Sequence, residues 1–141
     1  MKKLEFSHVK SGDVVPTVDG LRDFFKYQDL GIADATNNAV IAQIVSANSP
    51  PAEGTGWHYH GANFHIVYML KGWAKFMYED QVTLVEAGDC VHQKPGIVHY
   101  LFDYSPDMEF LEIVSPAKFK TTECPGPDGV VVPAPAEWPV N

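Results

Sequence analysis

Four histidines in the middle of this 141-residue chain are spaced in a way that could bind a metal ion. His58 and His60 are two residues apart, and side chains at i and i+2 of a β-strand point to the same face. His65 follows a short Gly-containing turn and could return beside this pair, while His99 follows a Pro-Gly bend. Four converging imidazoles would repel one another if protonated and would need partners if neutral, and a divalent cation answers both requirements. We therefore predict a metal site ligated by these four side chains.

The prediction of a metal site depends on the four histidines taken together, because a single histidine is more often a partly buried, hydrogen-bonded residue than a ligand. His8 lies near the terminus and is expected to be solvated, and His92 is expected to point outward. Ligation by nitrogen alone favours zinc, iron, nickel or copper over magnesium and calcium, which prefer oxygen. The sequence does not choose among these four metals.

The segments that must position the histidines are short, rich in Val, Ile, Tyr and Phe, and separated by turn residues. Their regular spacing favours a barrel or sandwich and predicts an all-β fold. The polar run Glu79 to Gln81 predicts a hairpin turn. In FHIVYMLKG, strand alternation places His65, Val67 and Met69 on one face and Tyr68 on the other. The segments are AVIAQIVSA, GWHYH, FHIVYMLKG, WAKFMYED, QVTLVEAGD, VHQKPG, HYLFD and MEFLEIVSP.

Length and composition predict one domain over residues 1–141, with enough apolar material for a core. We expect a barrel core at about 36–116, a lead-in over 1–35 made of isolated strands or turns with one helical turn, and a Pro-rich tail over 121–141. Proline cannot donate to a strand ladder, so the tail should run extended. It could be a strap that packs the valines at 130–132 and Trp138 on the barrel or on a neighbouring subunit, or a Pro-rich recognition segment.

The formal net charge of −8 argues against nucleic acid and anionic membranes as partners. No run approaches the ~20 apolar residues that span a bilayer, and the first residues do not resemble a signal peptide. Cys90 and Cys124 are far apart and are expected to be packed residues without a redox or zinc motif. A cytoplasmic location fits these features best.

Two stretches of the sequence resemble the two motifs of the cupin superfamily, specifically of its small single-domain microbial members. The first motif reads Gly-x5-His-x-His-x3–4-Glu-x6-Gly, and the second reads Gly-x5-Pro-x-Gly-x2-His-x3-Asn. The resemblance, extended by the strand pattern over roughly 36–116, implies a double-stranded β-helix, the jelly-roll barrel of cupins. The matching residues are His58, His60 and Gly72 in the first motif and Gly88, Gly96 and His99 in the second.

The chain departs from both motifs at positions that bear on function. His65 stands where the first motif has its ligand Glu, and Ala52 stands at its first Gly. In the second motif Pro95 comes one position late, and Asp103 replaces the final Asn. A neutral imidazole in place of a carboxylate leaves less negative charge around a divalent ion. We therefore expect the site to attract an anion or an enolate.

Similar His-rich sites occur in cupin dioxygenases and in some lyases and cyclases. The resemblance thus implies a metal-dependent, dioxygenase-like enzyme acting on a small organic substrate in the barrel. The alternatives are a metal-dependent lyase, isomerase or cyclase, and a non-catalytic module that binds a small ligand. A storage or structural barrel is a weaker possibility, since superfolds host unrelated functions.

Two polar residues are candidates for a catalytic role. Gln93 could offer an amide oxygen to the site or serve only as a hydrogen-bonding residue. Glu112 could be a general base if it faces inward, or a solvated charge if it faces outward; Glu109, three residues away, must face the opposite side. Arg22 in the lead-in is explained by a salt bridge or a subunit contact. Exposed strand edges lead us to expect a homodimer.

Overall fold

The computed structural model describes residues 4–52 and 54–138, which form two five-stranded antiparallel sheets. One sheet has the strand order β1-β2-β9-β4-β7 and the other β10-β3-β8-β5-β6. In chain order the elements are β1 (Phe25–Asp29), α1 (Ile32–Ala35), β2 (Ile41–Ala47), β3 (His58–Gly61), β4 (Phe64–Lys71), β5 (Trp73–Tyr78), β6 (Gln81–Glu86), β7 (Cys90–His92), β8 (His99–Tyr104), β9 (Glu109–Ser115) and β10 (Lys120–Glu123).

The all-β prediction is confirmed, and the two sheets are those of a jelly-roll β-barrel. Strands that are distant in sequence lie side by side, as β2 does with β9 and β3 with β8. The predicted hairpin is present between β5 and β6, and Glu79 at its turn has the positive φ of 55° that such turns require. Gln81 is already the first residue of β6. The single helical turn expected in the lead-in is α1, of four residues.

Alternation along β4 places its side chains as predicted from the sequence. Val67 and Met69 are fully buried beside His65, whereas Tyr68 is 40% exposed. Phe110 from the neighbouring strand β9 and Leu101 from β8 in the opposite sheet join the same apolar core. Burial of these side chains stabilises the barrel by about 2 kcal/mol for each, so apolar packing supports the walls around the histidines.

The lead-in forms a closed loop over the ring of Tyr27. Thr17 and Tyr27 exchange two backbone hydrogen bonds of 2.8 and 2.7 Å. The Tyr27 hydroxyl accepts a hydrogen bond of 3.0 Å from the backbone N–H of Arg22. Gly20 lies so close to the ring that a Cβ at this position would overlap it. The backbone of Arg22 is therefore held from both sides of the loop.

The tail runs over its own barrel as an extended segment. Trp138 donates a hydrogen bond of 3.0 Å from Nε1 to the carbonyl of Tyr104 and packs edge-on against that ring. The backbone N–H of Ala136 donates to Oδ2 of the buried Asp103 at 3.1 Å. Val131 is 84% exposed. The strap contact expected from the sequence is thus made by Trp138, and Val131 takes no part in it.

The remaining surface features of the sequence are also placed. Of the two cysteines, Cys124 is half-buried, as expected, but Cys90 is exposed because its strand β7 lies at a sheet edge. His8 and His92 are both exposed, as expected. Over the described ranges, no helix combines the length and the apolar character needed to cross a bilayer.

Candidate metal centre

Three of the four histidines converge inside the barrel. His58 and His60 project from β3 towards the interior, and His99 begins β8 as the direct register partner of His58. One ring nitrogen from each of the three lies within 4.8 Å of the others. The ring centroids are 4.2 Å apart for His58 and His99, 4.9 Å for His58 and His60, and 5.0 Å for His60 and His99. All three side chains are buried.

Hydrogen bonds at the other ring nitrogen orient the three imidazoles. Nδ1 of His58 is 2.9 Å from the carbonyl oxygen of Gly56, and Nδ1 of His99 is 2.9 Å from that of Ile97. A carbonyl oxygen can only accept, so in both rings the proton lies on Nδ1 and the lone pair on Nε2. Nδ1 of His60 is 2.9 Å from the hydroxyl of Thr121. Fixing the tautomer in this way is how protein scaffolds prepare histidine for a metal.

Burial keeps the three imidazoles neutral. It lowers the pKa of His60 to about 2, with further lowering by the charges of the neighbouring histidines. Burial also lowers the pKa of His99 to about 3, helped by the charge of His58 and opposed by the hydrogen bond to Ile97. The pKa of His58 is lowered for the same main reason. Neutral imidazole is the form that binds metal ions, so the donor set fits a transition metal.

His65 lies beside this set but outside it. Although the turn from β3 to β4 is short, the two strands belong to different sheets, so His65 approaches from the opposite wall of the barrel. Its ring centroid is 5.1 Å from that of His60. Nε2 of His65 is 3.6 Å from Oε1 of Glu112, and neither buried ring nitrogen has a hydrogen-bond partner among the residues described. The geometry therefore groups His65 with Glu112.

Both candidate catalytic residues line the barrel interior. Glu112 faces inward and its Oε1 accepts a hydrogen bond of 3.4 Å from Nε2 of Gln43, whereas Glu109 faces outward and pairs with Lys71 at 3.9 Å. The sequence left open which side chains of β9 face the barrel interior, and Glu112 is among those that do. Gln93 is 5% exposed, and its Oε1 makes no hydrogen bond within the described ranges. A buried amide oxygen of this kind is free to meet a ligand in the cavity.

The histidines open on a cavity of about 130 Å³ between the two sheets. Its lining contains one basic residue, Arg22, and one acidic residue, Glu112. Sequence reasoning missed most of the aromatic lining, because four of its five rings come from the lead-in, from β9 and from the segment before β10. The alternation in FFKYQD, which buries Phe25 and turns Tyr27 to the same side, was a usable signal. The aromatic residues of the lining are Phe25, Tyr27, Phe76, Phe110 and Phe119.

The family model of the cupin domain matches residues 46–114, a range that contains β3 to β8, all but the last residue of β9, and all four of these histidines. Together with the two-sheet barrel and the three-histidine cluster, this match places the chain in the cupin superfamily. No curated protein matches the chain.

Solved structures resemble the barrel at low sequence identity. The polyketide cyclase RemF from Streptomyces resistomycificus has a TM-score of 0.68 and 15% identity, over 87% of this chain and 88% of that one. A predicted oxalate decarboxylase from Thermotoga maritima has a TM-score of 0.62 and 23% identity, over 77% of this chain and 98% of that one. The nucleoside dehydratase Pac13 has a TM-score of 0.58 and 13% identity, over 84% and 92%. At these identities the likeness shows the fold.

Proposed function

We propose that this cupin is a metal-dependent enzyme that acts on a small organic substrate in the barrel cavity. His58, His60 and His99 are the proposed ligands. The observation that carries the proposal is the arrangement of these three neutral rings, whose outer nitrogens are bound to oxygen atoms and whose inner nitrogens face one another. A divalent transition metal held there would polarise a carbonyl or enolate oxygen as a Lewis acid.

The chain's own residues supply proton transfer beside the centre. Glu112 is the carboxylate of the lining, and a carboxylate within reach of a substrate C–H or O–H is a general base. Gln43 orients Glu112 through the hydrogen bond to Oε1, and His65 on the other side is placed to share the proton. Phe76, Phe110 and the other aromatic side chains make much of the lining apolar, which strengthens electrostatic interactions beside them.

This combination favours a lyase, isomerase or cyclase over the dioxygenase-like enzyme expected from the sequence. A carboxylate and an imidazole facing the substrate serve reactions that move protons, and those reactions need no oxidant. The names of three structural neighbours, a cyclase, a dehydratase and a predicted decarboxylase, support the same choice. Dioxygenase-like activity stays a prediction, as does the identity of the metal.

The test begins with protein purified without a His tag and stripped with a chelator. Zn²⁺, Ni²⁺, Cu²⁺ and anaerobic Fe²⁺ are added in turn, and bound metal is measured by mass spectrometry. We expect one ion per chain and turnover of hydroxy acids or β-dicarbonyl compounds, followed by NMR without oxygen. Oxygen consumption with the iron-loaded protein would instead favour the dioxygenase. Stoichiometric ligand binding without product would favour the non-catalytic module, and failure to bind any metal would overturn the proposal.

A further inference from the structure

The chain contains a single arginine, and that arginine lines the barrel cavity. Arg22 belongs to the lead-in, outside the residues that match the cupin domain. Over residues 4–52 and 54–138, no lysine lines the cavity. Within these ranges Arg22 is thus the one fixed positive charge of the lining, in a protein whose net charge of −8 otherwise repels anions.

Arg22 sits close to the three histidines. Its guanidinium NH2 group is 3.4 Å from Oε1 of Glu123, and Glu123 is the register partner of His58 across β3 and β10. Arg22 also lines the same cavity as His58, His60 and His99. The candidate metal centre and a cation thus share one cavity.

The guanidinium is held in place but keeps most of its donors available. The backbone N–H of Arg22 is bound to the Tyr27 hydroxyl, and its side chain is only 18% exposed. The side chain makes one long hydrogen bond, to Glu123, whose own side chain is 66% exposed. Ion pairs with so exposed a partner contribute little. A guanidinium has five N–H donors arranged to bind a carboxylate through two parallel hydrogen bonds, so a carboxylate ligand can displace Glu123.

We infer that Arg22 binds the carboxylate of the substrate, and that the enzyme therefore acts on small organic acids. The inference rests on the proposed function only in placing the substrate in this cavity. Arg22 would hold the carboxylate while the rest of the molecule reaches His60 and Glu112, which line the same cavity. The lead-in then determines specificity, because it closes the cavity and also carries the recognising charge.

The first experiment uses wild-type protein in EDTA, so that its result does not depend on a metal. Phenylglyoxal modifies arginine, and this chain offers it one site, whose modification is followed by mass spectrometry. The probes are acetate, pyruvate and malonate, with acetamide and malonamide as neutral counterparts. We expect at least one carboxylate to slow modification of Arg22 and the amides to leave the rate unchanged. Equal rates with all probes would overturn the inference.

The second experiment compares variants by calorimetric titration with the carboxylate that protects best. Arg22→Gln should weaken binding by about 10- to 100-fold, the range for a charge-assisted contact. Lys26→Gln is the matched control, because it removes one positive charge from the exposed side of the adjacent strand β1 and should bind like wild type. Glu123→Gln removes the competing carboxylate and should tighten binding. Unchanged affinity in Arg22→Gln would overturn the inference.

The outcomes separate this inference from the proposed function. Carboxylate protection of Arg22 in a protein that binds no metal would leave the inference standing and remove the metal-dependent enzyme. Stoichiometric metal binding without carboxylate protection would overturn the inference about Arg22 and leave the proposed metal-dependent enzyme standing. The melting temperature of each variant, compared with wild type, shows whether a loss of binding comes from unfolding.

Discussion

Nε2 of His65 lies 3.6 Å from Oε1 of Glu112, and the buried His65 and the partly buried Glu112 face each other across adjacent strands β4 and β9. This pairing sets His65 apart in geometry from His58, His60 and His99, whose ring nitrogens lie within 4.8 Å of one another. It also supplies the cavity with an imidazole and a carboxylate that can share a proton. The catalytic predictions below follow from that division.

Glu112→Gln should abolish most turnover while leaving metal binding intact. The amide keeps the hydrogen-bonding shape of the side chain but cannot accept a proton, and loss of a general base lowers kcat by about 10²- to 10⁴-fold. Bound metal per chain and kcat, measured on the same preparation, check this. Glu109→Gln is the matched control, because Glu109 lies on the same strand, faces outward and pairs with Lys71. Loss of metal in Glu112→Gln would make Glu112 a ligand instead.

His60→Ala should remove the metal and leave the fold intact. The barrel core consists of apolar side chains such as Val67 and Met69, so its stability does not depend on the ion. Metal content and the melting temperature of the metal-free protein test the two parts of this prediction, with the exposed His92→Ala as control. Unfolding of His60→Ala would show that the ion is structural.

His65→Gln distinguishes three ligands from four. Because His65 stands outside the set of nitrogens within 4.8 Å, we expect this variant to retain one ion per chain, whereas His99→Gln should lose it. Competition with a chromogenic chelator measures both affinities. If the two variants lose metal equally, all four histidines are ligands, as the sequence alone suggested.

The metal-free protein should become less stable as the pH falls below about 6.5. The unfolded chain takes up protons at His60 and His99 near their ordinary pKa of 6.5, whereas burial lowers the folded values to about 2 and about 3. The unfolded state then binds more protons, so the free energy of unfolding falls with falling pH. Urea unfolding in EDTA at pH 7.5, 6.5 and 5.5 measures the trend. His60→Gln should flatten it, and an equal slope in both proteins would contradict this explanation.

Gly72→Ala should destabilise the barrel more than Gly88→Ala. Both glycines have positive φ, 66° and 94°, so either alanine adds strain of about 1 kcal/mol. At Gly72 the new Cβ would also overlap Oγ of Ser105, which accepts a hydrogen bond from the backbone of Trp73, while nothing lies within 4 Å at Gly88. This overpacking adds about 1–3 kcal/mol. Chemical denaturation measures the difference, and equal losses would mean that Ser105 moves aside freely.

The fold and the cluster of His58, His60 and His99 could be predicted from the sequence because their signals are local. Strand alternation in β4 and the two cupin motifs each span a few residues with a fixed period. His65 lies beside His60, as expected, but its sheet could not be predicted in this way, because a short turn does not reveal whether the next strand joins the same sheet or the opposite one. Its assignment needed the pairing of β4 with β9.

The cavity was predictable only in part. Arg22 and Tyr27 reach the histidines by tertiary packing of the lead-in, and no sequence period links them to β3. Of the two explanations expected for Arg22, a salt bridge or a subunit contact, a salt bridge is present, and its partner Glu123 lies 101 residues away. Three statements stay predictions: the single domain over 1–141, the homodimer and the cytoplasmic location. Sedimentation of the purified protein tests the homodimer.

Trp57 immediately precedes His58 and stands edge-on to Tyr100, the neighbour of His99, at 5.6 Å between ring centroids. Tyr78, the register partner of His99, is at one end of β5. Trp73 is at the other end of this strand, about 17 Å from Tyr78. Indole fluorescence near the centre should therefore be quenched by Cu²⁺, which is paramagnetic, and spared by Zn²⁺. The fluorescence of Trp57 thus reports whether the metal site is occupied, and Trp57→Phe should abolish the quenching by Cu²⁺.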